Sequence, residues 1–315
     1  MSGTETHRPK VAYLFPGQGS HTVGMGLELY SRSPAARQVF QEVDSALGIH
    51  LSRLMFEGPE QELRQTINSQ PAIMTLSLAY LQAMEEALGP QNIVKPTLLA
   101  GHSLGEYTAL TVAGVLDRME AVWLVRERGR LMQSASLRRP GGMVAIMGLD
   151  EVTLEEVCLE TGAHIANVNT DTQFVISGDR LCLARAIDLA VARGAKKAVS
   201  LAVSGAFHSS LMESAREGLS EAMGKVHFRA PAIPIVANTT GKPVTTVEQI
   251  KEEALAQLCS CVRWRESVSY MVNSGVNSFV EVGPGKVLSG LVRHISRRVR
   301  TVSVGDLEAL QHLTN

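Results

Sequence analysis

A chain of 315 residues with 45% hydrophobic and 19% charged residues can bury a large core and lacks the polarity of a disordered segment. Its 30 Lys and Arg against 31 Asp and Glu leave a net charge of −1, and aromatics make up 4%. Neither the strongly basic face nor the stacking platform of a nucleic-acid binder is therefore expected.

The cysteines Cys158, Cys182, Cys259 and Cys261 lack the paired spacing of a zinc site and read as reduced thiols. The N-terminus MSGTETHRPK is polar, and no apolar run approaches the ~20 residues of a membrane span. A cytoplasmic protein without a leader is the expectation.

In chain order, VAYLF (11–15) is a run of β-formers ending at Pro16-Gly17, which predicts a buried strand entering a tight turn. Helical apolar spacing follows at 33–47 and 71–88, the second opened by Pro71 near its first turn. TLLAG (97–101) predicts a second buried strand, which runs straight into GHSLG and a helix over 104–115. A further helix is expected at 118–133, before RRPGG (138–142) breaks the pattern.

Beyond that break the spacing predicts strand 144–148, helix 153–161, strands 164–169 and 173–178, helix 180–193 and strand 197–203. This β-α-β-β-α-β series is the split pattern of a ferredoxin-like unit. It lies between two stretches of α/β texture and reads as an insertion at 135–205 in a large subdomain made of 1–134 and 206–315. The remainder predicts helix 209–224, a strand and turn at 233–241, helices 248–258 and 264–274, strand 279–283 and helix 285–295. The fold class is α/β with a mostly parallel sheet.

GHSLG (101–105) is a G-x-S-x-G between a predicted strand and a predicted helix, the context of a nucleophile elbow. The glycines leave room for a strained turn that presents Ser103, and the helix aims its N-terminal amides at the reaction centre. A serine hydroxyl needs a base. Of nine histidines, His7 and His312 lie near the ends, and His102 adjoins the serine in a turn where neighbours point apart. His208, in SGAFHSS, follows the insertion at the head of a helix, where a loop can return over the elbow. Spacing alone also allows a purely structural histidine there.

Five motifs occur in order: FPGQGS (15–20), GHSLGEY (101–107), RERGRLMQ (126–133), GAFHSSLM (205–212) and EVGPGKVLSGL (281–291). With them the chain resembles the malonyl-CoA:acyl-carrier-protein transacylases of fatty-acid synthesis and the acyltransferase domains of polyketide synthases, from about residue 10 to about residue 305. The resemblance implies a hydrolase-like large domain with a ferredoxin-like insertion. It implies that Ser103 is acylated and that His208 is its base, oriented by main-chain carbonyls rather than by an acid. Gln257 matches the glutamine at that place. Gln18 and Leu104 match the residues whose backbone amides form the oxyanion hole.

Arg128 matches the arginine that holds the malonyl carboxylate. The chemistry asks for such a group, because a buried carboxylate needs a partner and a guanidinium fork offers paired charge-assisted bonds. Without the motif, Arg128 would read as a solvated helix arginine like Arg126 and Arg130. Phe207 gives the AFH form associated with malonyl selection, and Asn169 and His102 complete the substrate-side residues.

GPGK (283–286) lacks the spacing of a phosphate loop and reads as a strand-to-helix turn. RHISRRVR (293–300) reads as a solvated basic helix face, with docking of an acidic carrier protein as the alternative. The implied reaction uses malonyl-CoA and an acyl carrier protein bearing phosphopantetheine. It needs no metal or redox cofactor, and the protein is expected to be a monomer. A free-standing polyketide-type acyltransferase and a serine hydrolase of acyl-thioesters are the alternatives.

Overall fold

The structure is a computed structural model that describes residues 10–306, 308 and 309. The N-terminal reading, with His7, and His312 lie outside the described residues.

The central strand, β1 (Lys10–Phe15), alternates between two cores. Val11, Tyr13 and Phe15 enter the larger cluster, while Ala12 and Leu14 enter a second one on the opposite face. That period of two is what a strand buried on both sides requires. Around β1 the sheet runs β10 (Arg300–Val304), β9 (Val276–Val282), β1, β2 (Leu98–Gly101), β7 (Ile235–Val236) and β8 (Pro243–Val244). All neighbours are parallel except the final β7–β8 pair.

Helices α5 (Thr66–Leu88), α6 (Gly105–Val112) and α7 (Arg118–Arg138) cover one face, joined by α2 (Pro34–Leu47) and α10 (Glu213–Met223). Helices α12 (Trp264–Asn273) and α13 (Val287–Ile295) cover the other.

A second, antiparallel sheet has the order β4 (His164–Val168), β5 (Gln173–Gly178), β3 (Gly142–Met147), β6 (Lys197–Ser200). With α8 (Glu151–Thr161) and α9 (Arg180–Ala192) it forms the predicted β-α-β-β-α-β unit. Val144, Ile146, Phe174 and Ile176 pack under its helices. Met143, Ala145, Ala166 and Val175 face the other way and join the main core. The segment before α12 is tied to β4 of the small sheet by backbone bonds from Val168 N to Val262 O and from Val262 N to Ala166 O.

Several elements differ from expectation. Helix α5 begins at Thr66, so Pro71 lies inside it rather than in its first turn. All but Ile67 of the helix residues ahead of Pro71 are polar, which breaks the apolar pattern, yet Thr66, Asn68, Ser69 and Gln70 are all buried. The short helices α1 (Leu27–Arg32), α3 (Leu51–Glu57) and α4 (Glu60–Leu63) and the strands β8 and β10 were not legible. The strand expected over 197–203 ends at Ser200. The basic stretch 293–300 is not one helix face: α13 stops at Ile295, and Arg300 opens β10.

Candidate active site

Strands β1 and β2 end side by side, with Phe15 opposite Gly101. The chain turns sharply after β2. A Cβ on Gly101 would lie 1.9 Å from the Gly105 carbonyl carbon, and one on Gly105 would lie 2.0 Å from Phe15 O. Both positions therefore exclude any side chain, and the turn closes tightly enough to place Ser103 at the N-terminus of α6. Ser103 has φ 51, the left-handed region disfavoured for non-glycine residues.

His208 faces it from the loop after the small sheet, also at positive φ (58). Its Nε2 lies 2.8 Å from Ser103 Oγ, and its Nδ1 lies 2.7 Å from Gln257 O. The carbonyl fixes the tautomer: Nδ1 carries the proton, and Nε2 is free to accept one from the serine. Burial, and next the nearby charge of Arg128, push the His208 pKa down to about 3. The imidazole is neutral near pH 7, the form a general base needs.

Arg128 is fully buried on α7. Gly129 allows this approach, since a Cβ there would lie 2.5 Å from Thr66 O at the start of α5. Nη1 of Arg128 donates to Gln70 Oε1 (2.7 Å), and Nη2 donates to Gln257 Oε1 (2.9 Å) and Ser103 Oγ (3.2 Å). Its guanidinium carbon sits 5.3 Å from the Tyr107 ring centroid. Among the described residues no carboxylate lies within ion-pairing distance of it, and its Nε has no partner. Burial works against this charge, opposed by Tyr107 and Glu106. A guanidinium held by two amide oxygens and a ring in a buried site is prepared for an incoming anion.

Gln257, just past helix α11 (Val247–Ala256), is the junction of the site. Its carbonyl orients His208, its Oε1 holds Arg128, and its Nε2 donates to Ser103 O at 3.1 Å. Leu104 is the residue before α6, and Gln18 lies in the loop after β1 with Nε2 donating to Ser69 Oγ at 2.9 Å. Among the described residues, neither backbone amide donates to another protein group.

His102 turns away from the nucleophile. Its Nε2 meets Asn169 Oδ1 at 3.1 Å, and its ring packs on Trp264 at 5.5 Å between centroids. Phe207 is buried in the main core beside His208. A cavity of about 530 Å³ reaches His208 and Ser209 between the small sheet and the 259–261 segment.

Three residues of the site carry no role in the sequence reading. Gln70 lies in the polar run that disguised the start of α5. Glu106 stands inside the nucleophile motif; its carboxyl is buried and held well above the usual range, first by burial and then by Glu253. Asn238, in IVANTTG, accepts from Ser103 N at 2.7 Å. An asparagine two residues past a strand of buried apolar residues was the available signal. The basic stretch 293–300 lies at the other edge of the parallel sheet. Arg300 begins β10, so roughly 16 Å of strand separates it from the C-terminal ends of the strands, where Ser103 follows β2.

Residues 12–308 match the family described as the acyl transferase domain. The chain is 43% identical over 307 residues to the malonyl CoA-acyl carrier protein transacylase of Bacillus subtilis (strain 168), covering 96% of this chain and 95% of that protein. It superposes with a TM-score of 0.91 on an acyl-carrier-protein-S-malonyltransferase from Bartonella henselae, at 40% identity over 96% of this chain and 98% of that one. A malonyl-transacylase solved in complex with its type II PKS acyl-carrier protein matches with a TM-score of 0.92 and 37% identity, over 97% and 99% of the two chains.

Proposed function

The chain belongs to the acyl transferase domain family, and on that footing we propose that it moves a malonyl group from malonyl-CoA to the phosphopantetheine thiol of an acyl carrier protein through a malonyl-Ser103 intermediate. The observation that carries the reading is Arg128, a buried guanidinium without a carboxylate partner among the described residues, 3.2 Å from the Ser103 hydroxyl.

The malonyl carboxylate binds Arg128, which sets the thioester carbon over Ser103. His208 Nε2 takes the Ser103 proton as Oγ attacks that carbon. The carbonyl oxygen becomes an oxyanion between the Gln18 and Leu104 amides, a type of contact typically worth ~10²–10³-fold per donor. The C–S bond then breaks, and His208 returns its proton to the CoA sulfur. The carrier thiol enters, gives its proton to His208 and reverses the sequence, which is ping-pong catalysis. Both halves are acyl and proton transfers, so they call for no metal or redox group.

Among the described residues no carboxylate bonds His208; the Gln257 carbonyl takes that place. The machinery is a dyad. His102, Asn169 and Phe207 are assigned to the substrate side of the site. Four unpaired cysteines agree with a reducing, cytoplasmic setting, and the enzyme is taken to act as a monomer. Among the described residues no helix is long and apolar enough to cross a membrane.

The test is intact-mass analysis after mixing with malonyl-CoA. One malonyl group should appear on Ser103, persist in buffer and leave on addition of a holo acyl carrier protein. Rapid loss of the group to water, or its absence from Ser103, would overturn the reading.

A further inference from the structure

The left-handed backbone of Ser103 is unfavourable and needs something to hold it. We propose that Asn238 is a positioning residue for the nucleophile, its side-chain amide bridging both sides of the elbow and locking Ser103 in the conformation that aims Oγ at His208. The inference rests on the reading of Ser103 as the acylated residue.

Asn238 is completely buried, and each of its polar groups is used. Oδ1 accepts from Ser103 N at 2.7 Å, and Nδ2 donates to Gly101 O at 2.7 Å. The amide thus grips the residue before His102 and the residue after it. Its own backbone is pinned as well: N donates to Glu106 Oε2 at 2.8 Å, and O accepts from Arg263 N at 2.7 Å. Gln257 Nε2 approaches Oδ1 at 3.5 Å, which links the bridge to the residue that orients His208. The next residue is anchored too, with Thr239 N donating to Glu253 Oε1 at 2.8 Å.

The bridge has a chemical consequence. With the Ser103 amide occupied by Asn238, the elbow amide left for an oxyanion is that of Leu104. Asn238 therefore separates two neighbouring N–H groups into one that shapes the turn and one that serves the reaction. Only a group that accepts at one atom and donates at the other can do this, and an amide does so at every pH.

The substitution Asn238→Asp tests the requirement. In its protonated form the introduced carboxyl keeps both functions, accepting from Ser103 N and donating to Gly101 O. In its ionised form it cannot donate and sets its charge against the Gly101 carbonyl. The groups around it are Glu106 on α6, Glu253 on α11, Arg128 on α7, and His208 and Arg263 on the neighbouring loops. Burial and the two acidic neighbours favour the protonated form of an introduced carboxyl, against the opposing charges of Arg128 and Arg263.

The experiment is rapid-quench acylation of the full chain by malonyl-CoA, read as label on Ser103 in wild type, Asn238→Ala and Asn238→Asp across a pH series. Asn238→Ala should slow acylation by about 10²-fold, with the KM for malonyl-CoA changed only a few-fold. Asn238→Asp should be as slow as Asn238→Ala at about pH 8 and recover by tenfold or more on acidification to about pH 5.5, while wild type stays flat. An Asn238→Ala enzyme that acylates at the wild-type rate, or an Asn238→Asp profile parallel to wild type, overturns the proposal. If Asn238→Ala does not fold, the near-isosteric Asn238→Asp profile decides alone. Absence of label on wild-type Ser103 would instead overturn the reading beneath it.

Discussion

Ser103 and His208 face each other at 2.8 Å, and both sit at positive φ, the only non-glycine residues among those described that do so. Each such residue typically costs ~1–3 kcal/mol, and the cost is tolerated where surrounding bonds over-determine the conformation. Here the strain serves direction. It lifts the serine hydroxyl out of the elbow and turns the imidazole toward it.

The dyad sets the first expectation. Ser103→Ala should abolish the acyl-enzyme, as shown by loss of malonyl label. His208→Ala should slow acylation by about 10²–10⁴-fold and leave malonyl-CoA binding in place. Rate and affinity separate in a single-turnover titration.

Arg128 sets the second expectation, on selectivity. Arg128→Ala should lower kcat/KM for malonyl-CoA by about 10²-fold or more, since charge-assisted bonds are each worth ~1.5–3 kcal/mol. Uncharged acyl-CoAs should be accepted better than by wild type. Arg128→Lys should not restore the malonyl rate, because an ammonium cannot reproduce the fork. Unchanged malonyl preference in either variant would mean that the carboxylate binds elsewhere.

The pH dependence follows from His208. Its folded pKa of about 3 lies below the ordinary histidine value of 6.5, so the neutral base persists as pH falls. The acylation kcat/KM should stay level from about pH 8 to about pH 5, without the inflection near 6.5 of an unperturbed histidine. Stability carries the matching sign. The unfolded chain takes up the His208 proton first, so stability declines as pH drops through 6.5 toward 3. His102, also held low by burial, adds in the same direction. Thermal melts of His208→Gln should show a shallower acid decline than wild type.

Gly129 offers a test remote from the chemistry. A Cβ there would press on Thr66 O at 2.5 Å, between α5 and α7. Gly129→Ala should destabilise the protein by about 1–3 kcal/mol and move Arg128. The KM for malonyl-CoA should rise more than that for an uncharged acyl-CoA.

The carrier should ignore the basic turn. Arg297→Glu with Arg298→Glu should leave the KM for acyl carrier protein unchanged in steady-state assays, since this segment precedes β10, at the opposite end of the parallel strands from Ser103. A tenfold rise would restore it as a docking surface.

Much of this was written locally. A strand such as VAYLF or TLLAG declares itself by its apolar run, and GHSLG declares a turn by the side chains it lacks. The small unit, with its alternating strands and two helices, was readable for the same reason. Its periodicities are short-range and uninterrupted. The start of α5 was hidden because Thr66, Ser69 and Gln70 are polar for the sake of the site, and β10 because its flanking arginines resemble a helix face.

The sequence by itself determined the α/β alternation, the elbow serine, and, through five ordered motifs, the company that Ser103 keeps. Only the tertiary structure decided that His208 is held by a carbonyl of Gln257, that Arg128 is buried against the amides of Gln70 and Gln257, and that Asn238 bridges Gly101 and Ser103. Those contacts join residues 49 to 137 positions apart. Local periodicity carries no information across such separations. They are set when two sheets and their helices close over one buried polar site, where every donor must find its acceptor.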